Sequence, residues 1–170
     1  LAAVAAIAGA SSAVASPLTG SYVQGTVGAD VQASRNDGVA VSIAAGKDFG
    51  MVRAEAEYTA TRGANSATNG NVASDLLTLN AYIEPVTIYG VTPYVGAGIG
   101  YGEFYRAGVV GDRDGMVFNG TVGASYGLTD KLDLVGQYRY TIANDVKVVK
   151  TTGVEDYRAS TISVGLRYTF

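Results

Sequence analysis

From Val52 to Thr61 the chain alternates without a slip: Val52, Ala54, Ala56, Tyr58 and Ala60 fall on one parity, and Arg53, Glu55, Glu57, Thr59 and Thr61 on the other. A period of two is the period of a β-strand, whose successive side chains point to opposite faces. One face of this strand is therefore apolar, and the other carries three charges and two threonines. Such a strand has to lie between two unlike surroundings.

The same pattern recurs along the chain. Val23, Gly25, Val27, Ala29 and Val31 oppose Gln24, Thr26, Gly28, Asp30 and Gln32, and a second run follows with Val39, Val41, Ile43 and Ala45. Leu77, Leu79, Ala81 and Ile83 oppose Thr78, Asn80, Tyr82 and Glu84; Val95, Ala97, Ile99 and Tyr101 oppose Tyr94 and the glycines at 96, 98, 100 and 102. Phe118, Gly120, Val122, Ala124 and Tyr126 form the outer parity of a sixth run. Leu132, Leu134, Gly136, Tyr138, Tyr140 and Ile142 do so for a seventh, opposite Asp133, Val135, Gln137, Arg139 and Thr141. In the last, Ile162, Val164, Leu166, Tyr168 and Phe170 oppose Thr161, Ser163, Gly165, Arg167 and Thr169. With the Val52–Thr61 run these make eight strands and no helix of period 3.6. Short turns fall near 47–50, 86–92 and 128–131, and longer polar links near 63–74, 106–114 and 143–156; the link near 34–38 is a short exception. Short turns at one end and long loops at the other are how transmembrane barrels are built.

Alternation alone does not say which face is wet. Charged residues are only 16% of the chain, against about 25% in an ordinary soluble domain. The polar face is mostly Gly, Ser, Thr, Asn and Gln, where a soluble exterior would be rich in Lys and Glu. The four lysines, Lys47, Lys131, Lys147 and Lys150, all fall in the expected turns and loops. Tyr58, Tyr101, Tyr105 and Tyr140 lie toward the long loops, and Tyr126, Tyr168 and Phe170 toward the short turns, as two aromatic girdles at the headgroup levels of a bilayer would. Arginine on a lipid-facing surface costs roughly 2–4 kcal/mol near the midplane, so the charged face belongs inside. The expectation is an all-β, eight-stranded antiparallel up-and-down transmembrane β-barrel with a polar, side-chain-filled interior. Arg53, Glu55, Glu57, Glu84, Asp133, Arg139 and Arg167 form its lumen charge network, as structural ion pairs or as the lining of a pore.

Ahead of the barrel, Leu1 to Ala15 is an uncharged run ending Ala13-Val14-Ala15. It reads as the apolar core and cleavage site of a secretory signal peptide, so residues 1–15 are expected to be a signal remnant and 16–170 the barrel. The chain has neither histidine nor cysteine, which removes the commonest general base and metal ligand and all thiolate chemistry. Glu55 and Glu57 share a face, but the neighbouring arginines hold both ionised, against what a general acid needs. The alternating glycines at 96–102 precede no helix and make no dinucleotide site. Asp112-Arg113-Asp114-Gly115 has two carboxylates, too few for calcium, and reads as a solvated loop tip. No catalytic residue, cofactor or metal is expected. A net charge of −3 without a basic run leaves no nucleic-acid footprint.

The last strand, Ser163-Val164-Gly165-Leu166-Arg167-Tyr168-Thr169-Phe170, resembles the C-terminal signature of bacterial outer-membrane barrels. Thr92-Pro93-Tyr94-Val95-Gly96-Ala97-Gly98-Ile99-Gly100-Tyr101 is similar to the fifth-strand motif of the opacity-protein and OmpA-like small barrels of the porin family. The resemblance implies the outer membrane of a Gram-negative bacterium, contact with outer-membrane lipid and lipopolysaccharide, and recognition of Tyr168 and Phe170 by the barrel-assembly machinery. The enzymatic small barrels of outer membranes rely on a histidine this chain lacks. The implied function is that of a non-enzymatic surface antigen, adhesin-like or envelope-structural protein, meeting a host or environmental ligand through loops 63–74, 106–114 and 143–156. A narrow porin-like channel for ions or small solutes, and a soluble secreted lipocalin-like carrier, stand as alternatives.

Overall fold

The computed structural model describes residues 19–31, 38–63, 72–106, 113–144 and 157–170. Eight strands follow one another: β1 (Ser21–Asp30), β2 (Gly38–Asp48), β3 (Val52–Gly63), β4 (Val72–Ile83), β5 (Val91–Arg106), β6 (Arg113–Gly127), β7 (Leu132–Asn144) and β8 (Tyr157–Thr169). Each pairs antiparallel with its neighbours, and β1 pairs with β8, so the sheet closes on itself with no free edge.

Turn chemistry keeps one end tight. Between β2 and β3, Gly50 takes a positive φ of 98° and its N–H donates to Asp48 Oδ1 at 2.6 Å. Between β6 and β7, Thr129 Oγ1 accepts from the amides of Lys131 and Leu132 at 3.3 and 3.0 Å. These are side chains replacing the backbone partners that a reversing chain loses. The opposite end carries the links 32–37, 64–71, 107–112 and 145–156, which lie outside the described residues together with residues 1–18. Most of each expected long loop, and the expected signal remnant 1–15, therefore fall there.

The alternation decides what faces where. Along β3, Arg53, Glu55 and Glu57 are buried in the interior while Val52, Ala54, Ala56 and Tyr58 are exposed. Leu77 and Leu79 are more than half exposed on the outer wall, as are Val122, Val164 and Ile162. This is a protein turned inside out for water: apolar outside, polar inside.

Three expectations need correction. Lys47 lies within β2, paired with Ser21 and Ala54, because the β2 ladder runs on to Asp48 before turning. Arg113, Asp114 and Gly115 belong to β6 and pair with Phe104, Glu103 and Gly102, so they form ladder rather than a loop tip; Asp112 is outside the described residues. The link before β5 ends at Gly90, and Val91 and Thr92 already pair with β6. In each case the hydrogen-bonded ladder runs on into residues expected to form the turn or loop. β5 has 16 residues, whereas about 9–11 tilted residues suffice to span a membrane.

Candidate functional site

The interior divides into two layers. Toward the short turns, the inward positions of β3, β7 and β8 and Glu84 just after β4 carry charge, and the side chains meet across the lumen. Arg53, only 1% exposed, donates from Nε to Glu84 Oε1 at 2.8 Å and from Nη1 to Glu55 Oε2 at 3.0 Å. Arg167 reaches the same Glu84 oxygen at 3.1 Å and Asp133 Oδ2 at 3.0 Å. Higher up, Arg139 holds Glu57 with both terminal nitrogens, the second at 2.7 Å, while its Nε donates to Thr121 Oγ1 at 3.1 Å. Tyr82 links the two groups: its hydroxyl donates to Glu55 Oε1 at 2.8 Å and accepts from Arg139 Nη2 at 3.2 Å. The result is one continuous belt of charge-assisted hydrogen bonds, Asp133–Arg167–Glu84–Arg53–Glu55–Tyr82–Arg139–Glu57, strung across four strands.

Tyrosines fill the space between. The Arg53 guanidinium lies 4.1, 5.1 and 5.3 Å from the ring centroids of Tyr82, Tyr94 and Tyr22, within cation–π range. Tyr82 and Tyr94 meet edge to face at 5.6 Å. Each of these tyrosines stands directly opposite a glycine of the next strand: Tyr22 with Gly46, Tyr82 with Gly96, Tyr94 with Gly123. A Cβ built on any of these three glycines would collide with its partner ring. The glycines thus let the rings lie flat across the neighbouring strand, the arrangement that rescues a glycine in a sheet with an aromatic face.

Toward the loop end the lining changes to hydroxyls. Thr26, Ser42, Thr59, Thr61, Thr141 and Thr161 surround a cavity of about 40 Å³ whose floor is the Glu57–Arg139 pair and whose walls include Leu76 and Ala159. Such a space holds about three waters. Asn119 Oδ1 is buried against it without a hydrogen-bond partner among the described residues.

All seven charges singled out in the sequence are placed inside, and the structure brings them together. What the sequence reading did not assign is the aromatic half of the belt, Tyr22, Tyr82 and Tyr94, with Asn80, Thr121 and Ser125 completing the hydrogen bonds. The signal was available: all three tyrosines share the parity of the polar face, and each faces a glycine. Glu55 accepts from Tyr22, Tyr82 and Arg53, and Glu57 from both Arg139 nitrogens and Thr59. Neither carboxylate is left open to a substrate proton.

The family model for the outer membrane protein beta-barrel domain matches residues 1–170. The chain belongs to that family. Solved outer-membrane proteins share the fold. Neisserial surface protein A is 23% identical, with a TM-score of 0.73 over 89% of this chain and 98% of that one. The N-terminal β-barrel domain of Pseudomonas aeruginosa OprF is 15% identical, with a TM-score of 0.62 over 89% and 98%. Ail, the attachment invasion locus protein of Yersinia pestis, is 14% identical, with a TM-score of 0.52 over 89% and 99%; it has also been solved in complex with the heparin analogue sucrose octasulfate. No curated protein sequence matches the chain.

For an outer-membrane barrel the exposed apolar wall faces lipid, and the soluble-carrier alternative falls away. Tyr58, Tyr101, Tyr126 and Tyr168 are exposed on that wall and Tyr140 is half-buried on it; the side chain of Tyr105 is outside the described residues. Phe170 follows β8, donates its amide to Ser21 O at 3.0 Å and packs edge to face on Tyr168 at 5.4 Å.

Proposed function

We propose that this outer-membrane barrel is a closed, non-enzymatic scaffold, surface antigen or adhesin-like in use, that meets its ligands outside the membrane through loops 63–74, 106–114 and 143–156. The observation that carries this reading is the belt from Asp133 to Glu57, in which three guanidiniums and four carboxylates satisfy one another across the lumen. An eight-stranded barrel has an interior just wide enough to be filled by side chains, and opening it means separating buried ion pairs at several kcal/mol each. Such an interior supports a scaffold better than a channel. In the same reading the outward tyrosines anchor at the headgroups, and Tyr168 with Phe170 is the segment handed to the assembly machinery.

The test is single-channel recording in a planar lipid bilayer, with folding verified by the mobility shift on boiling. A silent bilayer is expected. Reproducible current steps that change with Arg139→Gln would overturn the closed scaffold in favour of a narrow channel. The loop assignment is tested separately by adhesion of vesicles carrying the barrel to immobilised extracellular-matrix protein. Adhesion of the intact barrel, lost when the three loops are shortened, is the expected result; equal behaviour of the two proteins would count against it.

A further inference from the structure

The short-turn rim is two-faced. On one arc, Phe49, Met51, Val86, Ile88, Tyr89 and Leu128 are all exposed, and the sequence carries no charge from Pro85 through Gly102. Charges flank this arc at both ends, Lys47 and Asp48 just before Phe49 and Asp130 and Lys131 just after Leu128. Hydrogen bonds from Glu84 N to Met51 O at 3.0 Å and from Gly127 N to Gly90 O at 3.2 Å fasten the apolar turns side by side. They form a surface rather than separate tips.

The outer wall above this arc is too short to fill a membrane. On β4 the outward charge of Asp75, paired with Arg62 at 3.0 Å, ends the apolar run at the loop end. Leu77 to Ile83 then covers only about 15 Å of height, taking ~2.5 Å per residue for a strand tilted ~40°. On β3, from Ala60 below Arg62 down to Val52, the run covers about 20 Å by the same measure. Outer-membrane barrels present an apolar band about 25 Å tall. On β7, by contrast, the outward positions from Leu132 to Ile142 are uncharged and supply about 25 Å without help. The outward runs of β5, from Val91 to Tyr101, and of β6, from Met116 to Tyr126, are as long as that of β7. The deficit lies on β2, β3 and β4, the strands that the apolar turns 49–51 and 84–90 adjoin.

Tyr89 stands at the tip of the arc, its side chain 98% exposed. Its positive φ of 52°, followed by 80° at Gly90, belongs to the two-residue turn closed by hydrogen bonds between Ile88 and Val91 at 2.8 and 3.0 Å, a turn that takes positive φ at both central positions. We propose that the arc from Phe49 through Tyr89 to Leu128 is an insertion surface for the periplasmic leaflet, completing the lipid-facing wall beneath β3 and β4. The barrel then sits tilted, with this side deeper. The partner is lipid, because the arc is continuous with the lipid-facing wall through Val52, Ile83 and Val91, and because tyrosine settles at headgroup level.

The chain has no tryptophan, so a single introduced one reports its own surroundings. Tyr89→Trp and, as a second site, Phe49→Trp are refolded into phosphatidylcholine vesicles with and without bromine on the acyl chains near the headgroup. Asp130→Trp, in the charged flank of the rim, is the reference. Emission at 89 and 49 is expected to be blue-shifted and quenched by about twofold or more, as for an interfacial aromatic, with little change at 130. Water-like, unquenched emission at 89 and 49 in folded protein would overturn the proposal and leave a protein partner as the occupant. Equal quenching at all three sites would overturn the asymmetry.

Discussion

The two layers of the lumen are built from the same strands, yet they solve opposite problems. Toward the short turns, β3 presents Arg53, Glu55 and Glu57; two and four residues further on it presents Thr59 and Thr61. Below, each ionised group is withdrawn from water and has to be met by others, so partners arrive from β1, β4, β7 and β8. Above, hydroxyls face a small cavity and bond locally, as Thr26 with Ser42 at 2.6 Å and Thr161 with Asp30 at 2.8 Å. A buried charge network is costly to leave half-made, whereas a hydroxyl beside water is cheap to lose. The closed layer should therefore dominate stability, and the open layer should tolerate change.

The sharpest way to break that comparison is Arg53→Met. It removes the ion pairs to Glu55 and Glu84 and the contact with three rings at once. A loss of about 3–5 kcal/mol is expected, the usual cost of stripping one partner from a buried pair, read as a fall in the urea midpoint for the barrel in lipid vesicles. A loss below that of a threonine substitution in the upper layer would mean the belt is decorative. Next comes Glu57→Gln, which leaves Arg139 buried beside an amide. It should cost about 3 kcal/mol, and adding Arg139→Met should recover part of it. A coupling of about 1–3 kcal/mol in that double-mutant cycle is expected for directly bonded groups; additivity would show that the pair is not formed in the membrane.

Much of this was legible in the chain and some was not. Strand number, the inside-out arrangement and the identity of the charged positions follow from parity, because a one-residue slip would place Arg53 and Glu55 in lipid. Which charge meets which does not follow. Glu84 is shared by Arg53 and Arg167 across the lumen, and that choice depends on tilt and stagger, quantities that a two-residue period does not carry. The lumen tyrosines were obscured by a competing rule: tyrosine in a barrel suggests the headgroup girdle, and it is the polar-face parity together with the opposing glycine that distinguishes Tyr82 from Tyr58. Strand ends were misplaced at Lys47 and Arg113 because polar residues mark the limit of lipid contact, while the ladder continues past it.

Glycine sharpens the contrast on a smaller scale. Gly96 and Gly120 are two of the small residues of β5 and β6, on opposite faces of the wall. A Cβ at Gly96 would strike the Tyr82 ring, whereas one at Gly120 meets nothing within 4 Å. Gly96→Ala is expected to cost about 1–3 kcal/mol by overpacking, and Gly120→Ala to change the unfolding midpoint little. Equal effects would mean that Tyr82 does not rest on β5.

The smallest expected effect tests the upper layer itself. Thr161→Val keeps the shape of the side chain and removes its donation to Asp30. Asp30 lines the cavity, so water can replace the lost donor, and the expected loss is below about 1 kcal/mol. The same vesicle unfolding measurement reads it beside Arg53→Met. If Thr161→Val matched the belt variants, the loop-end cavity would be closed to water and the hydroxyls would form a second sealed layer. The division of the lumen into a plugged half and an open half would then have to be abandoned.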